Sequence, residues 1–115
     1  MTHKQLDAWK EAIKLTVEIY TISKVFPKDE IYGLTNQIRR SAISIPSNIA
    51  EGQKRGTKKD FAQFLRIAYG SSAELETQII IAESIYPAID FSKAKQILEE
   101  VQKMLPSLIF KISNN

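Results

Sequence analysis

Seven basic side chains, Arg39, Arg40, Lys54, Arg55, Lys58, Lys59 and Arg66, fall within positions 38–66, against only Glu51 and Asp60 on the acidic side. That segment therefore carries a local charge of +5, while the whole chain carries +3, so the remainder is slightly acidic at −2. A positive region on an otherwise near-neutral protein is the electrostatic footprint of a polyanion partner, and phosphate backbones are the commonest such partner. The same pattern also fits a solvated helix face followed by a lysine-rich loop. Arginine suits either use, because its planar fork holds carboxylate and phosphate alike. Arg40 in particular is structural if it pairs with an acid and a phosphate ligand if it does not.

A second constellation is polar and uncharged. Gln37, Ser41, Ser44, Asn48 and Glu51 recur at spacings of four and three, and Ser71, Glu74 and Gln78 do the same further on. Both lines border apolar stripes, so Asn48, Glu51, Ser71 and Glu74 are expected to form a partly buried polar seam between two helices or between subunits. Two solvated edges give the same pattern. A buried Asn48 amide needs partners. It can find them in backbone groups freed by Pro46 or across the seam at Glu74.

Catalytic chemistry is poorly served. The single histidine, His3, lies at the chain start, and cysteine is absent. Disulfides and thiol chemistry are thereby excluded, and no Cys–His or Asp–His cluster offers a zinc or redox metal site. The run from Gly52 to Lys59 lacks Walker spacing, and no G-x-S-x-G occurs. Ser71 and Ser72 have no general base beside them. A di-metal bundle needs Glu-x-x-His motifs, which are missing. The expectation is a non-enzyme with no cofactor, no metal and no small-molecule substrate. No stretch is long and apolar enough to span a bilayer, and the start of the chain is polar and amphipathic, so a cytoplasmic protein without a membrane partner is expected.

The elements that position these residues are helical. At 115 residues and 43% hydrophobic, the chain suits one domain, 1–115, with a real core. Pro27, Gly52, Gly56 and Pro87 divide it into four periodic segments. The first, 4–25, has one apolar line through Leu6, Trp9, Ile13, Val17 and Tyr20 and another through Ala12, Leu15, Ile19 and Ile22. The second, 29–51, has the core line Ile31, Leu34, Ile38, Ala42, Ile45 and Ile49. Pro46 should bend this helix and Gly52 should end it in the left-handed conformation. The third, 58–85, starts at Thr57 with Asp60 as a capping box. Its line Phe61, Leu65, Ala68, Ser72, Leu75, Ile79, Ala82, Tyr86 steps by four and three, the repeat of left-handed helix packing. Gly70 in its middle costs ~1 kcal/mol relative to alanine, which the close approach of another helix would offset. The fourth, 92–112, is capped by Asp90 or Ser92 and carries Phe91, Ala94, Ile97, Leu98, Val101, Leu105, Leu108 and Ile112, with a bend at Pro106. Short connections make neighbours antiparallel. The expected fold is all-α, an up-down-up-down antiparallel four-helix bundle.

Three blocks carry a family resemblance: Phe26-Pro27-Lys28-Asp29-Glu30 through Gly33-Leu34-Thr35 to Ser41-Ala42; Ser44-Ile45-Pro46-Ser47-Asn48-Ile49-Ala50-Glu51-Gly52; and Phe64-Leu65 through Gly70-Ser71 to Glu74-Leu75-Glu76. Across 9–108 the chain closely resembles the bacterial four-helix bundle proteins encoded within intervening sequences of 23S ribosomal RNA genes. The resemblance implies a homopentamer with a basic central surface, and kinship with the accessory protein of diversity-generating retroelements, which engages a reverse transcriptase and nucleic acid. Arg40, Asn48, Glu51, Gly52, Arg55, Gly70, Ser71 and Glu74 match the family's motif positions, whereas Pro106-Ser107 replaces its usual Asn-Gly type pair. The resulting expectation is an oligomeric nucleic-acid-binding protein, RNA favoured, with Arg39, Arg40, Lys54, Arg55, Lys58, Lys59 and Arg66 as phosphate contacts. The alternative is a protein-interaction scaffold or adaptor, for example for a reverse transcriptase, with no direct nucleic-acid contact.

Overall fold

Helical spacing becomes four long helices in the computed structural model, which describes residues 1–114: α1 (His3–Ser23), α2 (Leu34–Lys54), α3 (Lys58–Ile85) and α4 (Ser92–Ser113). Each packs against its neighbour in the chain, and α4 closes the square against α1. The result is the expected up-down-up-down bundle, with extents of 46 × 24 × 18 Å.

Of the two apolar lines on α1, the core takes Ala8, Ala12, Leu15, Ile19 and Ile22. The parallel line is left at the flank: Trp9 is partly buried, and Ile13, Val17 and Tyr20 are exposed. A helix held between two neighbours turns only one stripe inward, so the second line stays on the surface. Thr2 caps α1 through a complete capping box with Gln5.

The second helix starts later than its charge pattern suggests. A 3-10 turn at Lys28–Glu30 comes first, and α2 begins only after Gly33, whose φ of −114° and ψ of −115° break the helical course. Ile31, expected in the core line, is therefore exposed. Tyr86 donates to Glu30 and ties this turn to the end of α3. Rings of Phe26, Tyr86 and Phe91 close that end of the core, with centroids 5.7 and 6.2 Å from Phe26.

Two glycine expectations are overturned, and they exchange roles. Gly52 does not end α2; the helix runs on to Lys54, and the left-handed residue is Gly56, at φ 93°. Gly52 is instead the point of closest approach to α3: a Cβ there would lie 2.5 Å from the Phe64 Cβ and 3.1 Å from the Phe61 ring. Gly70, expected at a close approach, has nothing within 4 Å of its Cβ position. It faces solvent from the outer side of α3, so no packing gain offsets its helix cost.

Pro46 is buried inside a continuous α2. Lacking an N–H, it leaves the Ala42 carbonyl without its intrahelical donor. The Thr16 hydroxyl of α1 lies 3.1 Å from that carbonyl and 2.8 Å from its own Ala12 carbonyl, bridging the two helices at the gap. In α3 the line from Phe61 through Ala82 is buried as expected, and one arm of the box forms, with Thr57 accepting from the Asp60 backbone N–H. In α4, Asp90 accepts from the Ser92 N–H, and the stripe from Phe91 to Leu108 is buried.

Candidate nucleic-acid interface

The α2–α3 connection gathers Lys54, Arg55, Lys58 and Lys59 at one end of the bundle, all exposed. Arg55 is fixed there: its Nη2 donates to Glu51 Oε2 at 2.7 Å, and its guanidinium lies 4.9 Å from the centre of the Phe64 ring. The Glu51 hydrogen bond, then its charge, hold the Arg55 pKa above its ordinary value. Among the described residues no carboxylate lies within ion-pair distance of Lys54, Lys58 or Lys59. Their charges are directed to solvent.

Two further cations join them that sequence reasoning missed. A cavity of about 230 Å³ at the same end has Lys4, Lys58 and Lys111 around a floor of Phe61, Leu108 and Ile112. Lys4 opens α1 and Lys111 closes α4, more than a hundred positions apart in the chain. The signal was available: four antiparallel helices return both ends of the chain to the α2–α3 connection. Arg66 lies further along α3, where its Nη2 donates to Ser113 Oγ at 3.2 Å.

Arg39 and Arg40 stand apart from this end. From Arg40 to Lys54 along α2 is about 21 Å at ~1.5 Å per residue. Arg39 is committed within the fold, with Nε donating to Ser23 Oγ at 2.8 Å and its guanidinium 4.8 Å from the Tyr20 ring centre. Arg40 is exposed and has no carboxylate within ion-pair distance among the described residues.

The polar seam exists between α2 and α3 with a smaller membership than expected. Ser44 and Ser71 share a 2.8 Å hydrogen bond, and Asn48 Nδ2 donates to the Ser44 carbonyl at 2.7 Å and to its hydroxyl at 2.9 Å. Asn48 thus reaches neither Glu74 nor the carbonyl freed by Pro46, which Thr16 serves. Glu51 turns outward to Arg55, and Glu74 is exposed on the rim of a polar cavity of about 330 Å³ shared with Arg40 and Gln37. The Ser44–Ser71 hydrogen bond ties α2 to α3, and both hydroxyls also line that cavity. Gln78 Oε1, also on α3, is buried without a hydrogen-bond partner. Among the described residues no group of His, Cys, Asp and Glu side chains could hold a metal ion, and no helix is long and apolar enough to cross a membrane.

The family model of the 23S rRNA-intervening sequence proteins matches residues 4–107. The chain belongs to this family. That match covers α1 from its second residue, all of α2 and α3 and most of α4, so the family's pattern and the bundle coincide. The chain is also similar in fold to a solved structure of a protein of unknown function from the S23 ribosomal protein family of Bacteroides thetaiotaomicron VPI-5482. The two superpose with a TM-score of 0.80 at 24% identity, over 92% of this chain and 97% of that one. No curated protein gives a match.

Proposed function

We propose that this family member is a non-enzymatic, cytoplasmic bundle that binds nucleic acid, RNA favoured, through the end carrying Lys54, Arg55, Lys58 and Lys59. The observation that carries the reading is the exposure of Lys54, Lys58 and Lys59 without carboxylate partners, with Lys4 and Lys111 brought alongside. Six cations gather at this end, Arg55 alone in an ion pair among the described residues, and together they form a field that attracts phosphate. The dominant groups at this end are cations, so recognition there rests on backbone charge and shape. We further propose that the protein works as a homo-oligomer, a pentamer favoured. Val17 is 61% exposed, Ile80 57% and Phe110 71%, apolar surface that association would cover. A ring repeats the basic end and turns a weak contact into a multivalent one.

The test replaces Lys54, Lys58 and Lys59 together with glutamine and titrates an RNA fragment at several salt concentrations. Each lost phosphate contact should remove about 0.7–0.9 from the slope of log K against log salt, so the triple change should flatten it by roughly 2–3. Unaltered affinity and slope in a normally folded variant would refute this interface and favour a scaffold, whose exposed apolar residues meet protein partners instead. Light scattering at micromolar concentration returning only the 13.1 kDa monomer would refute the oligomer.

A further inference from the structure

Where the 3-10 turn meets α2, away from the lysine cluster, a cavity of about 410 Å³ opens between the end of α1 and the outer face of α2. Its rim includes Tyr32, 93% exposed. An aromatic ring left almost wholly in water buries little of its own surface in the fold. Opposite it, the Tyr20 ring already carries the Arg39 guanidinium at 4.8 Å, and the Ser23 hydrogen bond keeps that guanidinium in place. Asn36 and Arg40, one helical turn apart on α2 and both exposed, share the lining with Thr35 and the aliphatic Ile31 and Ile43. One open ring, one amide with donor and acceptor, and two guanidiniums thus surround a single cavity.

We infer that this cavity takes an unpaired nucleobase of single-stranded RNA. The base stacks on Tyr32, Asn36 meets its edge, and Arg40 meets an adjacent phosphate. The chemistry favours this occupant over a protein segment. Stacking needs one accessible π-face and a neighbouring cation and tolerates any base. An apolar partner would have to cover two guanidiniums and an amide without providing their counter-charge. The inference rests on the nucleic-acid reading above and adds the strandedness of the ligand and a second contact point. From Asn36 to Lys54 along α2 is about 27 Å at ~1.5 Å per residue. At the ~3.4 Å rise of a stacked strand this is roughly eight nucleotides. An unstacked strand covers the same distance in fewer nucleotides, so a short unstacked oligomer is able to touch both places.

The experiment compares hexauridine, whose bases scarcely stack on one another, with a blunt-ended RNA hairpin, using the full chain and its Tyr32→Ala and Tyr32→Phe variants. Tyr32→Ala is expected to weaken hexauridine binding roughly 5- to 150-fold, the range of one lost base–aromatic stack. Tyr32→Phe is expected to retain it, and hairpin binding is expected to stay the same in both. A 5-iodouridine hexamer should photocrosslink to the peptide containing Tyr32. Hexauridine affinity unchanged in Tyr32→Ala, with hairpin binding still lost in the triple-lysine variant, overturns this inference and leaves the basic interface standing. Failure of the unaltered protein to bind either RNA at low salt overturns both. A drop in assembly mass on Tyr32→Ala overturns it in favour of a subunit contact.

Discussion

Gly52→Ala and Gly70→Ala should change stability in opposite directions, although both replace a helical glycine with the best helix former. Alanine gains about 0.8–1 kcal/mol over glycine from helix propensity alone. At Gly70 nothing lies within 4 Å of the new methyl, so that gain should appear nearly whole. At Gly52 the methyl would sit 2.5 Å from the Phe64 Cβ, which is anchored directly to the α3 backbone and cannot rotate away. Carbon atoms prefer ~3.5–4.0 Å, so α2 and α3 must separate by about 1 Å at this point. The Phe61 ring, 3.1 Å from the same methyl, must shift as they do. Overpacking that forces side chains and backbone to shift costs about 1–3 kcal/mol, and a contact to a Cβ that cannot rotate away belongs in the upper part of that range, ~2–3 kcal/mol, so after the propensity gain of ~1 kcal/mol the net effect should be a loss of about 1–2 kcal/mol. An unfolding entropy of ~2.1 cal/mol/K per residue gives a shift of about 4 °C per kcal/mol for a chain of this size. Thermal melts by far-UV circular dichroism should therefore show Tm lower by about 4–8 °C for Gly52→Ala and higher by about 3–4 °C for Gly70→Ala. A Gly52→Ala protein that melts at or above the starting temperature would refute the close approach of α2 to α3.

Thr16→Val keeps the shape of α1 and removes the hydroxyl that serves the Ala42 carbonyl, so urea unfolding should show a loss of about 1–3 kcal/mol. Pro46→Ala restores a backbone N–H for that carbonyl, so the double variant should lose less than the two single changes added together; strict additivity would refute the bridging role. Tyr86 is pushed up to about 12 by its hydrogen bond to Glu30, with burial and the Glu30 charge adding to it. Because the phenol binds its proton more tightly in the folded state, this contribution is complete below pH ~10 and is lost as pH rises through the folded value. In a spectrophotometric titration, read as the difference from a Tyr86→Phe variant, the Tyr86 phenolate should form late, and Glu30→Gln should bring it to lower pH; a Tyr86 titration unchanged by Glu30→Gln would refute the contact.

The four helices were legible because their spacing is a direct record of one-sided burial: the line from Phe61 to Ala82 appears in the core as written. What the spacing could not rank was α1, whose two lines are equally apolar and differ only in which neighbours flank them. The glycines were misassigned for a related reason. A missing Cβ is visible in the sequence, but whether it faces Phe64 or open water depends on the partner helix. Lys4 and Lys111 escaped notice because clustering was sought within one stretch of chain, and charge meets charge by topology as well. The polar seam was half legible: Ser71 and Asn48 join it through Ser44, whereas Glu51 and Glu74, on the same helical lines, are long enough to reach solvent.

The Thr16 hydroxyl at the Pro46 gap has a consequence for how such chains can diverge. A proline within a buried helix survives only where some other group serves the carbonyl it abandons, and here that donor belongs to a different helix, thirty positions earlier. The two sites are therefore expected to change as a pair. Relatives that keep proline at this position should keep a hydroxyl at the site facing it, and relatives that lose the proline are free to place an aliphatic side chain there.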